Sequence, residues 1–396
     1  MASPLSRRAR AITPSATLAI TARAKELKAE GVDVVAFAAG EPDFDTPAYI
    51  TKAAHEAIDA GKTRYTPATG TPELKTAIAK KLKEDNGLDY DAGEIIVSCG
   101  AKHSLANIVL AMIDEGDEVL VPAPYWVSYP QMVRLAGGVV RVLPTRLENG
   151  FKVTPEQIAE ACTARTKLFV FNSPANPTGA VYTRDEIAAI GKTLLEKGVW
   201  CVSDEIYEKL LYDGLGHESI AAVVPEMKAC TVVVNGHSKA YAMTGWRIGY
   251  AAGPAEVIKA AASMQSHTTS NPASISQAAA TAALSGGADV VEEMRLEFER
   301  RRDRIVEGLR AIPGVEVPTT PQGAFYVFPD VSALYGKGAF ADAKGSVDFA
   351  KICLENIHVA VVPGEAFGED SCVRLSYATD MESIEEGLRR LSSLAG

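Results

Sequence analysis

The stretch Thr231-Val-Val-Val-Asn-Gly-His-Ser-Lys239-Ala-Tyr-Ala-Met-Thr-Gly-Trp-Arg247-Ile-Gly249-Tyr-Ala-Ala252 sets the fold. A short apolar run opens it, a second closes it, and a loop of small residues between them carries one lysine and one arginine. Runs of this length, rich in β-branched residues and bounded by glycine, read as buried strands. The same pattern places strands at Glu94–Ser98, Glu118–Val121, Val139–Leu143, Leu168–Phe171, Trp200–Ser203, Thr231–Val234 and Ile248–Ala252. Helical patterns fall between them at Lys102–Ile113, Pro155–Cys162 and Arg184–Lys197, the last opened by Thr183 as an N-cap. This alternation predicts an α/β fold with a mostly parallel seven-stranded sheet covered by helices on both faces. Ligands of such sheets sit beyond the carboxyl ends of the strands, so chemistry is expected just after each one.

Farther out the pattern changes. A charged helix is expected over Val290–Ile312, stopped by Pro313-Gly314, and its even mix of signs reads as a solvated face. Separated strands follow at Ala324–Phe328, His358–Val362 and Val373–Tyr377. A composition break at the Pro/Gly-rich Gly40–Pro47 suggests that the start of the chain returns to this second region. The expected division is a large domain over 48–290 and a smaller α/β domain made of 1–47 and 291–396.

Composition narrows the function. The 396 residues are 47% hydrophobic and 23% charged, enough for a large buried core. Acidic residues outnumber basic ones, 50 to 40, and the net charge of −10 argues against binding nucleic acid by bulk electrostatics. No apolar stretch reaches the roughly 18 residues of a membrane span. The start, Met1 to Ile20, has Arg7, Arg8 and Arg10 but no apolar core of a secretory signal. Six scattered cysteines form no C-x-x-C pair and no cluster with histidine. They read as free buried thiols of a reducing compartment, with no metal site, and the cytoplasm is the expected location.

The chemistry gathers after strands. Lys239 sits among small and apolar residues, where burial disfavours its charge and frees the amine as a nucleophile. Arg247, eight residues on, is placed to clamp an anion in the same pocket, although both residues also fit an exposed Gly-rich loop. Asp204 ends the apolar run Val199–Val202 and needs a cation there, unless it only caps the next helix. Tyr207, three residues later, adds a phenol. Ser98-Cys-Gly100-Ala101-Lys102 joins a strand to a helix start, an arrangement that holds phosphate on backbone N–H groups. Asn172-Ser-Pro-Ala-Asn176-Pro-Thr-Gly179 presents Asn176 on a loop stiffened by two prolines. Trp126, in Pro124-Tyr-Trp126, reads either as core or as a platform for a flat ligand. Arg374 lies inside an apolar strand run, where its fork suits a carboxylate. An activatable amine, a carboxylate for a ring cation, a phosphate cradle, an aromatic platform and a carboxylate clamp together describe pyridoxal 5'-phosphate with an amino acid.

These motifs, in this order from Pro14-Ser15-Ala16-Thr17 to the Arg374 strand, resemble the class I aminotransferases of PLP fold type I. Within that family the likeness is to bacterial aspartate aminotransferases, including members that also accept prephenate. The resemblance implies that Lys239 forms the Schiff base with the cofactor and acts as general base and acid. It pairs Asp204 with the pyridine nitrogen, sets Tyr207 and Asn176 at the ring hydroxyl, and stacks Trp126 on the ring. Gly100, Ala101, Lys102, Ser238 and Arg247 would hold the phosphate. Arg374, with Asn176 and the backbone of Gly40, would bind the substrate carboxylate. Tyr65 resembles a tyrosine that reaches the phosphate of a neighbouring subunit, implying a homodimer with shared sites.

The expected reaction moves the amino group of L-aspartate to 2-oxoglutarate, with formation of arogenate from prephenate as a further activity. No arginine for a distal carboxylate stands in the Ser266–Pro272 stretch; the resemblance assigns that task to Lys102 and Thr17. An aminotransferase for alanine or aromatic amino acids, or a PLP lyase, stays open, because the same cofactor motifs serve all of them. A regulatory PLP module joined to a DNA-binding domain is disfavoured by the net charge and the short N-terminal segment. Two decoys are set aside. Gly336-Lys-Gly338-Ala-Phe-Ala341 matches a dinucleotide fingerprint but follows a poor strand, and His103 and His237 lack the third partner of a triad or metal site.

Overall fold

A computed structural model describes residues 4–14 and 16–395. Ser15, in the Pro14–Thr17 stretch that carries part of the resemblance, lies outside the described residues. The strands, in chain order, are β1 (Val35–Ala36), β2 (Ile95–Ser98), β3 (Glu118–Ala123), β4 (Val139–Pro144), β5 (Thr166–Asn172) and β6 (Trp200–Asp204). They continue with β7 (Thr231–Gly236), β8 (Gly249–Ala252), β9 (Tyr326–Val327), β10 (Val359–Ala360), β11 (Val362–Pro363) and β12 (Val373–Ser376).

Seven strands form one sheet in the order β2-β8-β7-β6-β5-β3-β4. Every pairing is parallel except those of β8, which runs against both neighbours. Side chains alternate between two apolar layers, as the two-residue period of a strand requires. Ile96, Val121, Val170, Val202 and Val234 pack against the helices Ala101–Met112, Ser128–Ala136 and Ala255–Thr268. On the other face Phe169, Phe171 and Cys201 pack against Arg184–Lys197, while Ile95, Val97 and Val233 meet Pro72–Asn86. The Arg184–Lys197 helix begins as its sequence predicts: the Thr183 hydroxyl accepts from the Glu186 N–H, and the Glu186 carboxylate accepts from the Thr183 N–H at 2.7 Å.

Register lines up the strand ends that matter. Asn172 pairs with Asp204, Asp204 with Val234, Gly236 with Gly249, and Ser98 with Gly249. The ends of β2, β5, β6 and β7 therefore share one edge with the start of β8, and the loop from His237 to Ile248 leaves and re-enters the sheet there.

The smaller sheets join the two ends of the chain: β1 pairs in parallel with β10, and β11-β12-β9 is antiparallel. Three expectations change here. The run His358–Val362 is not one strand; it breaks at Val361, so that β10 and β11 serve different sheets. The run Ala324–Phe328 shortens to two residues, with Ala324 held at φ +58 and outside the ladder. The charged helix, Ala288–Arg310, is not solvated all round. Arg301 and Arg302 are buried on it, held by Asp43 and Asp213 at 2.7 Å, while Phe298, Ile305 and Leu309 enter the core. All six cysteines are free; Cys201, Cys353 and Cys372 are buried and the others half-buried. Among the described residues no helix is long and apolar enough to cross a membrane.

Candidate active site

A cavity of about 590 Å³ lies at the carboxyl edge of the large sheet. Its wall includes Thr17, Gly40, Ala101, Lys102, Trp126, Asn176, Asp204, Tyr207, Ser238, Lys239, Arg247 and Arg374, residues brought together from eight separate stretches of chain.

Lys239 reaches the cavity from the loop after β7. Its amine donates to the Gly40 carbonyl and lies 5.6 and 5.9 Å from the rings of Phe325 and Tyr207. Burial, reinforced by the positive Arg374, pushes the amine down to about 8, so a substantial fraction is neutral near physiological pH. Asp204 ends β6 and is buried. Its carboxylate accepts from the Tyr129 hydroxyl at 2.6 Å and from the Ile206 N–H at 3.3 Å. Burial lifts it to about 6 against those two donors, and a cation beside it would draw it down. The residues after it form turns and no helix, which removes the helix-cap alternative.

Tyr207 shares a 2.9 Å hydroxyl contact with Tyr326. Arg374, on β12, is buried at 2% exposure. It donates to Asn176 Oδ1 at 3.1 Å and to the Ala38 carbonyl at 3.0 Å, and its Nε has no partner. The Tyr326 ring lies 4.5 Å from the guanidinium and that of Phe367 5.1 Å away. Burying a guanidinium with an idle N–H is costly, and a carboxylate entering the cavity relieves that cost.

At the other end the helix Ala101–Met112 points its first N–H groups at the cavity. The Arg247 guanidinium lies against this helix start, so close that a side chain on Gly100 would come within 2.5 Å of it; Gly100 also holds φ +89. A side chain on Gly249 would collide with the Ala101 nitrogen. Ser238 lines the same end. Lys102 lies 4.8 Å over the Trp126 ring, and its amine is pushed down by burial and by Arg247.

This set fits pyridoxal 5'-phosphate on its own chemistry: a helix start with Arg247 for phosphate, Asp204 for a ring cation, Trp126 for the ring face, and a depressed amine for the aldehyde. Two predicted site residues are not on the cavity wall: Gly100, which sits just behind it against Arg247, and Tyr65, which is 91% exposed.

Sequence reasoning missed Tyr129, Tyr326 and Asn172, whose amide donates to the Asp204 carbonyl at 2.9 Å. No local pattern marks Tyr129 or Tyr326, since an aromatic in an apolar stretch reads as core. His103 Nδ1 accepts from the Cys99 N–H at 3.3 Å, and burial pushes His237 down to about 3, so neither serves as a base here. The Gly336–Ala341 segment is turns and one short 3-10 piece, with no strand leading in. Behind the cavity Glu205, Glu208 and His217 bring their ligand atoms within 4.8 Å of one another, but the Lys81 ammonium pairs with Glu208 there.

Residues 32–391 match the family described as aminotransferase class I and II. An aspartate aminotransferase of Geobacillus stearothermophilus is 52% identical over 387 residues, covering 98% of each chain. An aspartate/prephenate aminotransferase of Cereibacter sphaeroides is 50% identical, covering 96% of each. The solved aspartate aminotransferase of Thermus thermophilus with maleate superposes with a TM-score of 0.93 at 47% identity, covering 99% of this chain and all of that one.

Proposed function

Because the chain belongs to the class I and II aminotransferases, we propose that it transfers the amino group of L-aspartate to 2-oxoglutarate, and also serves prephenate. Pyridoxal 5'-phosphate is the cofactor of this family. When bound, it holds the amino acid covalently and takes up the electron pair left as the α-proton departs. The chain's own residues do the rest. Arg374 and Asn176 orient the α-carboxylate, which places the Cα hydrogen toward Lys239. Lys239, its amine partly neutral at working pH, takes the proton from the substrate Cα and, once protonated, would give it back on the cofactor side, as general base and then acid. Asp204 supplies a buried negative charge, held anionic by Tyr129 and Ile206. Tyr207 and Asn176 hydrogen-bond the ring substituent, while Gly100, Ala101, Lys102, Ser238 and Arg247 hold the phosphate. Lys102 and Thr17 meet the distal carboxylate.

The observation that carries this reading is the idle Nε of buried Arg374 in the same cavity as a lysine depressed to about 8. The names of the relatives support aspartate, and two acidic groups are the substrates a cavity with this many cations favours. The exposed Tyr65 supports a homodimer in which it completes the partner's phosphate site. A location in the cytoplasm accords with six free thiols. The division into 48–290 and 1–47 with 291–396 is supported by sheet membership, since the seven-stranded sheet draws only on residues 95–252.

A donor panel tests the reaction. Aspartate, alanine and phenylalanine are offered against 2-oxoglutarate, oxaloacetate and prephenate, and oxo acid release is measured with and without an acceptor. Aspartate with 2-oxoglutarate is expected to lead. A lead by alanine or phenylalanine would sink the aspartate assignment, and oxo acid release that continues beyond one equivalent per active site without an acceptor would indicate a lyase.

A further inference from the structure

The cavity has an approach lined by one stripe of the helix Ala16–Ala29. Thr17, Thr21, Ala24, Lys25 and Lys28 all line the wall, at spacings that put them on a single helical face. The charges of this helix are sorted. Arg23 pairs with Glu26 at 3.0 Å and with Glu30 at 3.8 Å, so the nearby acids are engaged with one another's counter-ion. Lys25 and Lys28 make no ion pair among the described residues, and both are exposed. Across the whole cavity wall six cationic side chains stand against two acidic ones. Of those two, Asp204 is buried at the far end and Glu41 accepts from the Thr244 hydroxyl at 2.9 Å.

This sorting matters because the chain as a whole carries −10 and repels a dianion at long range. We propose that Lys25 and Lys28 form a cationic approach to the cavity that favours doubly negative acids over singly negative ones by speeding their association. The substrate class rests on the transamination reading above; the placement of the two lysines does not. Exposed charges act here through the field they set up, not through a fixed contact, and so their effect is open to screening by salt.

The test uses the holoenzyme and a double variant, Lys25→Gln/Lys28→Gln, with a Lys25→Arg/Lys28→Arg control that keeps both charges. Association of succinate, a dicarboxylate with no amine to transfer, is followed by stopped-flow fluorescence beside that of propionate. At an ionic strength of about 10 mM the neutral variant is expected to bind succinate about 5-fold more slowly and propionate only about 2-fold, because the energy of each in the field of the lysines scales with its charge. The gap closes at about 0.5 M salt, and the arginine variant keeps the wild-type rate. In turnover the loss falls on kcat/KM for 2-oxoglutarate, a dianion, and is smaller for pyruvate, a monoanion. Equal slowing of succinate and propionate, or a loss that persists in high salt, overturns the proposal. If the wild-type enzyme fails to transaminate aspartate, the functional reading fails, and the succinate–propionate contrast still decides this one.

Discussion

Asp204 and Tyr207 face the cavity; Glu205 and Glu208, from the same turn, face away from it into a second nest of charge. The two sides are treated in opposite ways. Behind the turn, Glu205 accepts from Ser203 at 2.8 Å and Ser219 at 2.6 Å and meets His217 Nε2 at 2.9 Å. Glu208 pairs with Lys81 and accepts from Asn86 at 2.8 Å, and those neighbours hold it at about 2 in spite of its burial. Carboxylates and cations there answer one another. In front, Lys239 is depressed, Asp204 is raised, and Arg374 has an N–H to spare. Charges closed on each other serve the fold; charges left open serve a ligand.

The largest expected break of this contrast is Lys239→Met. Turnover should fall by about 10⁴-fold or more, together with the yellow absorbance of the bound cofactor. Stability should move the other way. An ammonium whose folded value sits near 8, below its usual 10.5, costs stability in full below pH 8, and the cost fades as pH rises from 8 to 10.5. The cofactor-free variant should therefore be more stable than cofactor-free wild type by about 2–3 kcal/mol at pH 7, with the gap closing toward pH 10.5. Denaturant unfolding across pH checks it; a gap that stays flat with pH would contradict the depressed amine.

Behind the turn the sign reverses. Glu208→Ala strands a buried ammonium and should cost about 3–5 kcal/mol, whereas Lys81→Met/Glu208→Leu, which removes both charges, should recover at least half of that. A single variant losing less than about 1 kcal/mol in urea unfolding would mean that the pair holds nothing. Arg374→Met sharpens the comparison at the cavity. Losing a two-pronged carboxylate contact should lower kcat/KM for aspartate about 100-fold, while the unfolding midpoint stays put or rises, because a buried cation with an idle donor has gone. A midpoint that drops would move Arg374 to the structural side.

The turn also shows what a sequence discloses. Asp204 and Tyr207 were legible because they follow an apolar run and have chemistry in common with a ligand. Glu205 and Glu208 were not, since their partners Lys81 and His217 come from distant segments that no periodicity connects. The same holds for the Val290–Ile312 pattern. Its arginines looked solvated because Asp43 and Asp213, which hold them, are remote in the chain. Strand centres and the Thr183 cap were readable because hydrophobic alternation and capping are local. Tyr129 and Tyr326 were hidden for a different reason: an aromatic in an apolar stretch reads as core, and only the fold shows which hydroxyl meets a carboxylate or a second phenol.

One consequence follows from the reversed direction of β8. Because Gly236 and Gly249 are paired across the sheet, residues 237–248 form a closed link whose two feet stand on adjacent rungs. Lys239 and Arg247 ride on that link, so their separation is gauged by its length alone. Gly40 and Arg374 arrive from the opposite ends of the chain: the Gly40 segment is pinned to the link by donors from Lys239 and Thr244, and Arg374 is held to that segment through the Ala38 carbonyl. The link therefore sets the spacing from amine to anion cradle and also carries the contacts that seat the Gly40 segment above the amine.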